Sequence, residues 1–357
     1  MAYTNIDDPS AYFQTVLYTG TSGNARQVTN DGNSNLKPDL VWIKGRSNQS
    51  HNLLYDSTRG VYKQIYPDLT NTEATVTNSL QEFSTDGFKV GSYVYANENT
   101  HTFAAWQWKA NGGTTSSNTQ GNVTNTLQVN STAGFSISTF TSASSGNTTI
   151  GHGLGVAPSM FVVKGRNLGS GWWMNHAGLT NQSDRYLGLH DLNGERTLSW
   201  GAAPTSTLIT MSSGYVGNGY TMVCYAFAEK QGYSKFGSYH GTGGSGSTAP
   251  IIYTGFKPAF IWIKATTTTT PAMIFDTTRN PLNLTDKKLL SSTDVAENDA
   301  GSNSTGGASA NNIDILSNGF KIKTGSTGTN AAVNKYAYMA FAENPFVTST
   351  GVPACAR

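Results

Sequence analysis

The stretch KPDLVWIKGR, residues 37–46, decides how this chain is read. Alone it is an ordinary buried β-strand introduced by a proline. It returns as APSMFVVKGR, residues 157–166, and as KPAFIWIKAT, residues 257–266. Each copy carries a proline, one small or acidic residue, four large apolar residues and a lysine at fixed offset: Pro38 to Lys44, Pro158 to Lys164 and Pro258 to Lys264. Three occurrences make an internal repeat.

The repeat extends both ways. Upstream lie VLYTG, residues 16–20, ISTFTS, residues 137–142, and FGSYHG, residues 236–241, each an aromatic-led strand ending in a turn. Downstream lie LLYDSTRG from Leu53, WWMNHAG from Trp172 and MIFDTTRN from Met273, so that Asp56, His176 and Asp276 each stand 18 residues beyond their proline. FSTDGFKVGS from Phe83 matches ILSNGFKIKT from Ile315, both hairpin-like because Asp-Gly and Asn-Gly supply the positive φ of a tight turn. The middle copy has the looser MSSGYVGNG from Met211. Each copy closes on an alternating aromatic strand, FAAWQWK, MVCYAFAEK or YAYMAFAEN, in which Trp108, Phe227 and Phe341 are equivalent and Trp106, Tyr225 and Met339 precede them by two residues. Period two sends both sets toward one core.

Composition fixes the class. Only 12% of the 357 residues are charged and 39 are glycine, which suits short strands joined by polar turns and does not suit helices. A formal net charge of +2 with no Lys/Arg run excludes a polyanion-steering field, so no nucleic-acid partner is expected. No apolar window reaches the roughly 18 residues that span a bilayer, and MAYTNIDDPS lacks the regions of an export signal; no membrane insertion is expected. Cys224 reads as a core thiol and Cys355 as a tail thiol.

The expected architecture is all-β: three tandem antiparallel β-sandwich repeats of jelly-roll kind, each burying its own core. Boundaries fall at an N-terminal arm, 1–12; repeat one, 13–109; a Gly/Ser/Thr/Asn-rich linker, 110–133; repeat two, 134–231; repeat three, 232–346; and a C-terminal tail, 347–357. Residues 292–312 of the third repeat read as a long polar loop.

The phrases LYTG, KPDLVWIKGRS, LLYDSTRG, FSTDGFKVGS and AAWQWKANG, followed by TIGHGLGVAPSMFVVKGRN, VCYAFAEK and YTGFKPAFIWIK, resemble a family of repeat-containing virion proteins of tailed bacteriophages, especially phages of marine bacteria and cyanobacteria. The resemblance covers about residues 12–346. It implies a virion structural protein of tail-fibre or receptor-binding kind, assembled in the host cytoplasm, with other virion proteins as partners, and it supplies no catalytic residues.

No chemistry stands out independently. The six histidines are scattered, and no zinc spacing, phosphate loop or nucleophile elbow is present, so no metal, cofactor or enzymatic activity is expected. Asp56 with Arg59 and Asp276 with Arg279 read as a turn held by Asp-to-backbone hydrogen bonds. Pro38, Pro158, Pro258, Asp56, His176 and Asp276 are thus structural positions of the repeat. Trp172, Trp173 and Trp200 do not recur and are the candidate ligand-binding residues, since flat aromatic faces beside polar groups suit sugar rings. The leading expectation is a non-enzymatic tail appendage that recognises a host surface glycan or receptor, homo-oligomeric, with any shaft on another chain. The alternative is an architectural capsid-decoration or tail-adaptor protein without receptor binding.

Overall fold

The computed structural model describes residues 2–299 and 311–354. The chain is all-β, built from several antiparallel sheets, with only short helical turns such as Val94–Asn97 and Ser213–Val216.

Three arrays of four strands carry the recurring phrases. In the first, Phe13–Thr19, Thr102–Trp108, Leu40–Gly45 and Leu53–Asp56 lie side by side in that order. The second places Phe135–Thr141, Thr221–Phe227, Met160–Gly165 and Trp172–His176 in the same order. The third places Ser234–His240, Lys335–Pro345, Phe256–Ala265 and Met273–Asp276 likewise. Register matches too: Leu40 faces Trp108 and Asp56, Met160 faces Phe227 and His176, and Phe260 faces Phe341 and Asp276. A smaller sheet accompanies each array: Arg26–Val28 with Phe88–Val90 and Leu80–Phe83; Thr148–Gly151 with Leu208–Met211; Ile251–Tyr253 with Gly319–Ile322 and Ile313–Leu316.

The four-residue apolar runs are continuous because both faces of their strands are covered. Val41 and Ile43, Phe161 and Val163, and Ile261 and Ile263 face three separate cores, one beneath each smaller sheet. Leu40 and Trp42, Met160 and Val162, and Phe260 and Trp262 face the opposite way into a fourth core that all three arrays share. There Trp108, Phe227 and Phe341 touch pairwise, with ring centroids 6.4, 5.6 and 5.9 Å apart. Each array thus has a core of its own, as expected, and the shared fourth core is what the sequence reading did not include. Trp106 and Trp108, Tyr225 and Phe227, and Met339 and Phe341 of the closing strands all face this shared core.

Two details differ from the sequence reading. Pro38 and Pro158 precede their strands, whereas Pro258 lies within Phe256–Ala265, where register shifts on both sides of it absorb the missing N–H. Within 110–133, Asn125–Asn130 pairs along its whole length with Phe135–Thr141, and Gln128 donates its amide to Ser57 and Thr58, so this stretch is built into a sheet. Of the polar stretch 292–312, residues 300–310 lie outside the described residues, as does Cys355; Cys224 is buried.

Candidate functional site

The repeated lysines lie on the shared-core side of their strands, at the junctions between arrays. Lys44, Lys164 and Lys264 are all at most 1% exposed. Each ammonium donates to the carbonyl six residues onward, at Ser50, Ser170 and Thr270, and to a carbonyl of a different array's segment, at Thr293, Thr70 and Leu192. The segments thus grip one another cyclically: first onto third, second onto first, third onto second. Burial pulls each lysine down to about 8.

The Asp positions follow the same cycle. Asp56 and Arg59 are fully buried, joined at 2.5 Å, and the Arg59 backbone N–H donates to Asp56 Oδ1. Arg279 repeats both contacts with Asp276. The hydroxyl of Tyr225 donates to Asp56 across one junction, and the indole N–H of Trp106 donates to Asp276 across another. Met339, at the equivalent third position, has no donor, and the residue in the Asp place there is His176. His176 Nε2 meets the carbonyl of Tyr338, Gly178 N–H donates to its Nδ1, and burial pulls its pKa down to about 4.

Trp172 and Trp200 are fully buried. Trp172 belongs to the shared core and donates its indole N–H to Tyr66 O across a junction; Trp200 stacks on Tyr215 at 4.1 Å and donates to Arg185 O. Neither presents a face to a ligand, because strand alternation turns Trp172 inward and Tyr215, 15 residues along the chain from Trp200, covers its ring. Trp173 is half-buried against Tyr215.

An aromatic surface outside these tryptophans lies in the first segment. His51 sits edge-on to Tyr66 and to Tyr95, each at 6.0 Å, and Tyr93 meets Tyr95 at 5.5 Å. All four rings are half-buried, and Val94 between the two tyrosines is 49% exposed. The hydroxyls of Tyr66 and Tyr93 converge at 3.3 Å, with the amide of Gln64 donating to both. Asp68, its own pKa raised by burial, holds His51 Nδ1 at 2.8 Å. Rings that expose an edge or face beside fixed hydroxyls and an imidazole suit a polyhydroxylated ligand. The signal in the sequence was the YVYAN run at Tyr93–Asn97; at the matching turn of the second copy, Ser212 and Gly214 stand in the places of Tyr93 and Tyr95. Among the described residues, no group of three or more His, Cys, Asp or Glu is placed to hold a metal ion. No helix among them is long and apolar enough to cross a membrane.

The family model described as "Domain of unknown function (DUF7483)" matches residues 8–345, and the chain belongs to that family. Its single match runs through all three arrays, as their shared core does. No curated protein and no solved structure matches the chain.

Proposed function

We propose that the chain is a non-enzymatic bacteriophage virion protein, a tail-fibre or tail-appendage component that recognises the host cell surface, and that its body is three jelly-roll-like β-sandwich repeats fused about one axis. The phage assignment rests on the resemblance of the recurring phrases. The observation that carries recognition is the His51, Tyr66, Tyr93 and Tyr95 patch, held on an interlocked body and peculiar to one segment. Loops on a rigid scaffold vary without disturbing the packing beneath them. Surface glycan is the ligand class that such a patch suits, and several copies on one particle would raise weak contacts to useful avidity.

The cyclic arrangement of the three arrays also favours a second reading, an architectural capsid-decoration or tail-adaptor protein, since a body with three like faces fits a threefold position. Immunogold labelling of phage particles with antibody to this chain separates the two: label at the tail tip is expected, and label over the capsid contradicts recognition. The double substitution Tyr93→Ala, Tyr95→Ala is expected to lower adsorption of the purified protein to host cells at least tenfold while the chain stays folded, at a melting temperature lowered by the packing the two rings lose against the first segment's core, each ring contributing about 1–3 kcal/mol of burial against ligand. Undiminished adsorption would remove the patch from recognition.

A further inference from the structure

The three junctions between segments share one more device, and at one of them it is incomplete. The residue two beyond each repeated lysine is Arg46, Arg166 or Thr266. At all three junctions its carbonyl accepts a backbone N–H from a glutamate of another segment: Glu297, Glu73 and Glu195, at 2.7, 2.7 and 2.6 Å. At the first two the arginine side chain also forks onto that glutamate, Arg46 onto Glu297 at 3.1 and 2.7 Å and Arg166 onto Glu73 at 2.9 and 2.9 Å. Each of these glutamates takes a second guanidinium from its own segment, Arg279 or Arg59, at 3.0 Å.

Glu195 stands in the same place with both cations replaced. Thr266 occupies the position of the forked arginine, and Leu179, three residues beyond His176, that of the second. The Glu195 carboxylate takes only the N–H and hydroxyl of Thr180, and no Lys or Arg among the described residues pairs with it. Where the side chain of an arginine would run, a cleft of about 500 Å³ opens, lined by Glu195, Asn193, Arg185, Arg196 and the threonine run 266–269. The two arginines in its wall each have a partner, while the Nε of each makes no hydrogen bond. Arg196 pairs with Asp191 and lies over Tyr186 at 4.7 Å; Arg185 pairs with Thr197 and stands 3.7 Å from Asp184. Behind the wall, Lys264 is held by carbonyls of Leu192 and Thr270, and His190 lies 3.6 Å from Asp191. Arg185, Arg196 and Lys264 balance Asp184, Asp191 and Glu195 in charge, and of these carboxylates Glu195 is the one that lines the cleft itself.

We infer that this cleft binds an arginine side chain of a partner protein, which supplies from outside the guanidinium that the chain itself places at its other two junctions. A guanidinium fork matches a carboxylate in geometry, and the two internal pairs show this backbone frame accepting it. The cleft is larger than one guanidinium, and Asn193 with the threonine hydroxyls can take the peptide groups flanking the arginine. The inference concerns a protein contact and stands or falls separately from the aromatic patch and from the phage assignment.

The test is a titration of the full chain, followed by amide chemical shifts, with acetyl-Gly-Arg-Gly-amide, its citrulline analogue and free L-arginine. Saturable shifts centred on Gly194, Glu195 and Thr266–Thr268 are expected with the arginine tripeptide, weaker ones with free arginine and none with citrulline. Glu195→Gln is expected to weaken tripeptide binding about tenfold or more. Thr266→Arg, which rebuilds the internal plug, is expected to abolish it and to raise the melting temperature. Equal binding of citrulline, binding unaffected by Glu195→Gln, or no saturable shift in the wild-type chain would each overturn the site. Free arginine binding more tightly than the tripeptide would overturn the protein partner. Should Thr266→Arg fail to fold, Glu195→Gln and the citrulline comparison decide.

Discussion

A buried lysine that makes no ion pair is held by geometry alone. Lys44, Lys164 and Lys264 each reach two carbonyls, one on either side of a junction, and each is pulled down to about 8 from an ordinary 10.5. Between those values the unfolded chain holds more protons than the folded one, so stability rises with pH in that window. The buried Cys224 thiol, raised by desolvation, acts in the opposite sense above its ordinary 9.0, which makes pH 8 to 9 the clean interval. Urea unfolding is expected to give a free energy that increases from pH 8 to 9, with a shallower slope in Lys44→Met. A flat or falling profile would contradict the ammonium burial. In the sequence these lysines were visible as the fixed last member of a repeated phrase. Their role was not, because the partners at Thr70, Leu192 and Thr293 are backbone carbonyls, and any residue type can supply one.

Strands and turns are where the repeat was most legible and also where it misled. The continuous apolar runs, the Asp-Gly turn after Phe83 and the alternation in the closing strands all read correctly as strand signals, because each is a local preference of the backbone. Gly87 in that turn has φ +90°, and a Cβ there would meet Val28 O at 2.0 Å, so glycine is required twice over. Trp172 was read as a candidate ligand-binding ring because it does not recur among the copies. Its burial depends on Tyr66 O, which lies more than a hundred residues away in the chain. The turn that starts at Asp56 shows what such distant contacts are worth. Arg59 joins Asp56 to Glu73 and to the carbonyls of Leu54 and Lys63 with no solvent exposure of its side chain. Arg59→Met would strand Asp56 in the core, and a loss of about 3–5 kcal/mol in the urea unfolding free energy is expected. A loss below about 1 kcal/mol would show that the turn holds without the pair.

At the scale of the whole molecule, the three arrays are packed as one body because large side chains of each meet at one place. Trp108, Phe227 and Phe341 are supplied one per segment, and the lysine contacts around them close a ring of three junctions. Tandem domains with separate cores open separately, and each reports its own stability. A body with a shared core opens as a unit, which is what the recognition role proposed for the Tyr93 and Tyr95 patch would need. Native-state hydrogen exchange on the wild-type chain and on Phe227→Ala tests this most directly, read at the outer strands Phe88–Val90, Leu208–Met211 and Gly319–Ile322. Removing one ring of the triangle is expected to lower the opening free energy of all three strands together by about 3–5 kcal/mol. Loss of protection confined to Leu208–Met211, with the other two strands unchanged, would show three independent domains and contradict the account.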